Sequence, residues 1–168
     1  MADEAGVPER LTFADDGRFP NSRLPALLYR GAVDDPSVAA MKARFTAHGW
    51  FGQWAGGIFD YHHYHSTAHE ALGVASGAAR VTLGGPGGEA VDLAAGDVVV
   101  IPAGVAHRRD SASADFCVVG AYPEGQDWDI LRGEPGDRDK ALVNLARVPL
   151  PESDPVTGRM GGLVKLWQ

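Results

Sequence analysis

From Trp50 to Pro123 the chain is a succession of short apolar runs separated by glycine: "EALGVASG", "AARVTLGG", "EAVDLAAG", "DVVVIPAG", "AHRRDSA" and "DFCVVGAYP". The runs follow one another too closely for a helix to fit between each pair. Alternating βα units are therefore excluded, and a β-sandwich or barrel is predicted. The "GGPGG" stretch at 84–88 reads as a turn. No helix pattern or lysine follows it, so it is not a phosphate-cradling loop.

The flanks read differently. "NSRLPALLYRG" is an extended segment, since Pro25 disfavours helix before it and Gly31 stops the run. "DDPSVAAMKARFTAHG" predicts a helix capped by Asp35, with Pro36 in its first turn and Gly49 at its end. Val38, Met41 and Phe45 form its apolar stripe. A second short helix is expected at "DRDKALVNLAR", with Ala141, Leu142, Leu145 and Val148 inward, and "GGLVKLWQ" is expected to return as a strand. Residues 1–10 read as a flexible tail and 11–168 as a single domain, a size that forms a core without disulfides.

Charge and composition narrow the partners. The net charge is −7 and no basic stripe is present, which argues against nucleic acid and against an anionic membrane surface. No apolar run approaches the ~20 residues of a membrane span, and the acidic N-terminus is not a secretory signal. A cytoplasmic protein is expected. The lone cysteine, Cys117, allows no disulfide within the chain and sits in an apolar run.

The chemistry concentrates in "DYHHYHSTAHE", residues 60–70, which holds four of the six histidines. Strand side chains alternate, so His63 and His65 share a face while His62 and Tyr64 take the other. In the next strand Glu70 shares a face with Leu72 and Val74, the larger apolar set, and so points inward. A carboxylate there needs a positive neighbour. A metal held by His63 and His65 would supply it, and His107, just past the Pro102–Gly104 turn, is placed to join them. Imidazole and carboxylate together suit Fe, Mn, Ni, Co, Cu or Zn. A set built on His65 and His69 would turn the larger apolar residues outward. His69 reads as an outward or supporting histidine, His62 as a surface or interface residue, and His48 as a partner of its helix C-terminus.

These residues resemble the two motifs of the cupin superfamily. The first is glycine, five residues, His-x-His, four residues, Glu, six residues, glycine; Gly57, His63, His65, Glu70 and Gly77 fit every position. The second is glycine, five residues, Pro-x-Gly, two residues, His, three residues, Asn; Gly96, Pro102, Gly104 and His107 fit, and Ser111 replaces the final Asn. The resemblance covers about residues 50–122 and implies an all-β jelly-roll barrel, a double-stranded β-helix, with one or two peripheral helices. It also implies that His63, His65, Glu70 and His107 bind a divalent transition metal such as Fe, Mn, Ni or Zn. The longer run "HYHSTAHEALGVASG" is similar to a small bacterial group of single-barrel cupins without an assigned activity.

Candidate pocket residues follow from parity. If "FGQWAGGIFDYHH" is one strand, Phe59 and Tyr61 face inward beside the metal. Arg109 shares the parity of His107 and would hold an anionic substrate, or be an ordinary paired arginine. "YPEGQDWD" would close the mouth, with Tyr122 and Trp128 lining it, or more simply serve as a structural cap. The functions implied are a metal enzyme of dioxygenase or isomerase type acting on a small molecule, or a non-catalytic barrel binding a metal or small ligand. A metal-free structural barrel is the third. The apolar "LPALLY" and an exposed sheet edge predict a homodimer.

Overall fold

The computed structural model describes residues 6–168. Nine strands form: β1 (Glu9–Phe13), β2 (Ser22–Tyr29), β3 (Trp50–Gly56), β4 (Glu70–Ser76), β5 (Ala78–Leu83), β6 (Glu89–Ala94), β7 (Val98–Ile101), β8 (His107–Ala112) and β9 (Cys117–Pro123). Three helices accompany them: α1 (Val38–Ala47), α2 (Asp137–Leu145) and α3 (Leu163–Leu166). The larger sheet runs in the order β1-β2-β7-β4-β9-β3 and the smaller in the order β6-β5-β8, with every pairing antiparallel. Each apolar run from "EALGVASG" to "DFCVVGAYP" became one strand, giving the jelly-roll barrel.

Two apolar layers hold the sheets. Leu28, Leu72, Val74, Val99, Ile101 and Val118 of the larger sheet meet Val81, Leu83 and Leu93 of the smaller one. The outer face of the larger sheet is covered as well, by Met41 and Phe45 of α1 and by Leu163 and Trp167 at the C-terminus. Strand β7 is consequently buried on both faces, and its four residues are all apolar.

Several boundaries differ from the sequence reading. Asp35 does not cap α1; it takes a positive φ of 47°, and Ser37, in extended conformation, accepts a hydrogen bond from the Ala40 N–H instead (3.0 Å). The expected flexible tail overlaps β1, where Glu9 and Arg10 pair with Leu28 and Leu27; residues 1–5 of that tail lie outside the described residues. "GGLVKLWQ" is the short helix α3 rather than a strand, since the Leu163 N–H is taken by the Asp154 carboxylate (2.9 Å) and the Trp167 indole donates to the Pro25 carbonyl (2.8 Å). The apolar "LPALLY" is covered within the chain. It lies in β2 between β1 and β7, and Leu27, Leu28 and Tyr29 are buried within the chain. In α2, Ala141 is buried and Leu145 packs beside it, while Leu142 faces outward. No helix among the described residues is long and apolar enough to cross a membrane.

Candidate metal centre

Backbone pairing brings the histidines together. After Gly56 the chain leaves the sheet, then returns at His63, which pairs with His107 at the start of β8 through two hydrogen bonds (3.2 and 2.9 Å). The two imidazoles thereby become cross-strand neighbours, with ring centroids 4.1 Å apart. His65 follows on the same side, and its carbonyl accepts the Gly104 N–H (2.8 Å). Gly104 has a φ of +96°, and an added Cβ would strike the Asn21 carbonyl, so this turn requires glycine. Asn21 braces the same turn: its side-chain oxygen accepts the Ala106 N–H (3.2 Å). Glu70 opens β4 opposite Ile101. All four side chains are buried.

The hydrogen bonds fix the imidazole tautomers. Nδ1 of His63 meets the Tyr61 carbonyl (3.0 Å), Nδ1 of His65 meets that of Asp129, and Nδ1 of His107 meets that of Val105 (3.2 Å). A carbonyl can only accept, so each Nδ1 carries the proton. In the neutral rings Nε2 is then the free base. The Nε2 of His65 lies 3.3 Å from Glu70 Oε2 but off the hydrogen-bond axis, and has no hydrogen-bond partner. The Nε2 of His107 lies 3.1 Å from Glu70 Oε1. Lone pairs facing a carboxylate at such distances repel unless a proton or cation stands among them.

The residues fit a metal ion. Two donors bound to one ion at about 2.1 Å each can stand no more than about 4.2 Å apart, and the two contacts to Glu70 satisfy that. The donor atoms of His63, His65 and His107 all lie within 4.8 Å of one another, which leaves a small contraction on binding. Burial, followed by the neighbouring His107, pushes His63 down to about 3, so it is neutral and available near pH 7. Burial opposes charge on both His65 and Glu70. Their mutual attraction outweighs it, raising His65 and holding Glu70 well below the usual carboxylate range.

Residues more distant in sequence complete the site. The Tyr122 hydroxyl donates to Glu70 Oε2 (2.6 Å) and accepts from the Trp54 indole N–H (2.8 Å). Burial, with Glu70 beside it, pushes the phenol up, so it remains a donor. Trp54 lies against Gly120, where any Cβ would collide with the indole. Asp129 supports the His65 loop three ways: its carbonyl holds the imidazole, and its carboxylate accepts the Ser66 N–H (2.6 Å) and the Ser66 hydroxyl. Asp129→Ala keeps that carbonyl and removes only the carboxylate that holds Ser66, so we expect it to weaken metal affinity by about threefold, less than the about 10–100-fold cost of losing a group bonded to the ligand itself. Competition with a chromogenic chelator measures it, and unchanged affinity would show that the Asp129 carboxylate does not position His65.

The other named residues lie elsewhere. Tyr61 does not line the cavity, because the chain leaves the strand after Gly56 and the assumed parity ends there. It is half-exposed, stacked on Phe59 (4.9 Å) with the Arg132 guanidinium over its ring (3.6 Å). Arg109 also stays out of the cavity, its guanidinium 3.9 Å from Asp60. Ser111 is exposed on β8. His62 packs on Phe19, with ring centroids 5.8 Å apart. His69 is buried against Trp167; its Nδ1 accepts the Ala103 N–H (2.9 Å), and burial pushes it down to about 4. Trp54 and Asp129 carried no signal in the sequence. Tyr122 and Trp128 did, as residues of the closing segment, and both line the cavity.

A cupin domain family model matches residues 50–119. Among solved structures, acireductone dioxygenase from Bacillus anthracis, with a cadmium ion in its active centre, aligns with a TM-score of 0.41 and 15% identity over 55% of this chain and 62% of that one. Oxalate decarboxylase from Bacillus subtilis aligns with a TM-score of 0.37 and 18% identity over 68% of this chain and 29% of that one. This chain therefore spans less than two thirds of either structure. The uncharacterized protein YjlB of Bacillus subtilis (strain 168) is 42% identical over 156 residues, which is 92% of this chain and 93% of that protein. With that similarity along nearly the whole length, and the domain match over the barrel strands, the chain belongs to the cupin superfamily.

Proposed function

We propose that the protein is a metal-dependent enzyme acting on a small molecule, of the dioxygenase or isomerase type, with His63, His65, Glu70 and His107 holding Fe, Mn, Ni or Zn. One observation carries this reading: three buried imidazoles, each with Nδ1 held by a backbone carbonyl, converge at the wall of a cavity, with Nε2 of His65 and of His107 beside the Glu70 carboxylate. Such tautomer control is what a metal-binding histidine needs. When bound, the ion would polarise a substrate oxygen or, if redox-active, support oxygen chemistry. The chain supplies the rest. Tyr122 fixes one Glu70 oxygen and takes the pocket position expected of Tyr61. Ile58, Leu72 and Trp54 keep bulk water from the cavity wall.

A second reading is a non-catalytic binding barrel. The polar side chains lining the cavity are the four candidate ligands and Tyr122, whose hydroxyl already donates to Glu70, and no separate acid or base stands beside them. In either reading a homodimer would pair β1 or β3, the edges of the larger sheet.

Elemental analysis of untagged protein purified without added metal or chelator tests the proposal, with Glu70→Ala alongside. Near-stoichiometric iron, manganese or nickel that falls in the variant is the expected result. Zinc with every coordination position filled favours the binding barrel. No metal, and no uptake on soaking, overturns both.

A further inference from the structure

The cavity beside the ligands measures about 240 Å³. At ~30 Å³ per water in the liquid it has room for about eight water-sized groups. Beyond the ligands and Tyr122, its lining is apolar: Trp54, Ile58, Phe59, Leu72, Trp128 and Ile130. Among the described residues no lysine or arginine lines it. The arginines that flank the site in sequence are engaged elsewhere, Arg108 beside Asp110, Arg109 beside Asp60 and Arg132 over the Tyr61 ring.

Charge limits what such a cavity accepts. A divalent ion with one carboxylate and three neutral imidazoles carries a net charge of +1. One anionic donor atom neutralises it. A second negative group would lie against tryptophan and isoleucine with no partner, at a desolvation cost that the site cannot offset. The body of the ligand must instead suit aromatic walls. Trp128 stands at the opening, 46% exposed, stacked on Tyr122 (6.0 Å, 26°) with its edge toward His65 (5.9 Å). Large apolar side chains left half in solvent beside a cavity mark a surface for an apolar partner.

We infer that the cavity binds a small molecule with one ionisable oxygen or sulfur at its head and a flat apolar body, and that Trp128 is a specificity-determining wall for that body. This rests on the metal reading above and names the ligand class of the same site. Dianionic small acids are excluded from it by charge.

Isothermal calorimetry on manganese-loaded protein tests the inference, with benzoate, acetate and succinate as probes. Benzoate has the head and the body, acetate the head alone, and succinate a second charge at similar size. Benzoate is expected to bind at least about tenfold more tightly than either of the others, from the apolar area its ring buries. Trp128→Ala is expected to weaken benzoate by about five- to tenfold, from the lost aromatic contact, while acetate affinity and metal content stay constant. Tryptophan fluorescence should shift with benzoate in the parent and change less in the variant. Succinate binding as tightly as benzoate, or an unchanged Trp128→Ala, overturns the inference alone. Failure to take up manganese, iron, nickel or zinc overturns the metal reading and the inference together, and metal content separates the two cases.

Discussion

His63→Ala and His107→Ala, purified beside the parent, should each retain less than about a tenth of its metal, whereas His62→Ala should retain all of it. Losing even a group that merely orients a ligand costs about 10–100-fold in affinity, and a ligand itself is a larger loss. The contrast is informative because His62 and His63 are adjacent in the chain but face opposite ways. His63 pairs with His107 and turns toward the cavity; His62 packs on Phe19. An effect of general destabilisation would touch both variants. Elemental analysis reads the outcome, and equal metal in all three variants would refute the ligand assignment. The fold itself should stand without the ion. Its inter-sheet core is built from Leu28, Leu72, Val81, Leu83, Val99 and similar residues, none of them a ligand. Circular dichroism should therefore be unchanged in strong chelator, and collapse there would make the site structural.

What the sequence makes legible depends on the range of the forces involved. The strand series shows because each run carries its own apolar residues and its own glycine stop. His63, His65, Glu70 and His107 come together because the first three are fixed by alternation over a few residues, and one turn sets the fourth. Tyr61 fails for the same reason: alternation says nothing once the chain leaves the ladder after Gly56. Tyr122 and Trp54 meet at Glu70 only because β4 and β3 both flank β9, a fact of topology. Asp129 reaches Ser66 from 63 positions away. The apolar "LPALLY" is covered within the chain because β1 pairs with its flank and the C-terminal segment packs on its face, which the alternation of a strand does not reveal. "GGLVKLWQ" became helical through tertiary contacts of Leu163 and Trp167, which override local preference in so short a segment.

The largest stability effect is expected from a residue outside the cavity, Asp154. Its side chain is fully buried and accepts four hydrogen bonds: Oδ1 from the N–H groups of Val156 (2.6 Å) and Thr157 (3.0 Å), Oδ2 from the N–H of Leu163 (2.9 Å) and from the Tyr29 hydroxyl. Burial, with Asp154 beside it, pushes the Tyr29 phenol up, so that hydroxyl stays a donor. One carboxylate thus ties a turn, the start of α3 and strand β2 together. Removing it strands three buried donors and the part-buried Thr157 N–H, each buried one at a cost of about 1–3 kcal/mol where no water replaces the acceptor. Partial relaxation of the C-terminal segment brings the expected loss for Asp154→Ala to about 4 kcal/mol, or ~10 °C in Tm for a chain of this size. Tyr29→Phe removes a single donor and should cost about 1 kcal/mol. Thermal melts of both variants check the ranking, and an Asp154→Ala melting point within about 2 °C of the parent, less than ~1 kcal/mol on the same scale, would contradict it. The consequence reaches the site, because the segment held by Asp154 ends in Trp167, which packs on His69 (4.8 Å), the residue before Glu70. Loosening that segment should lower metal affinity in Asp154→Ala even at temperatures where the barrel remains folded.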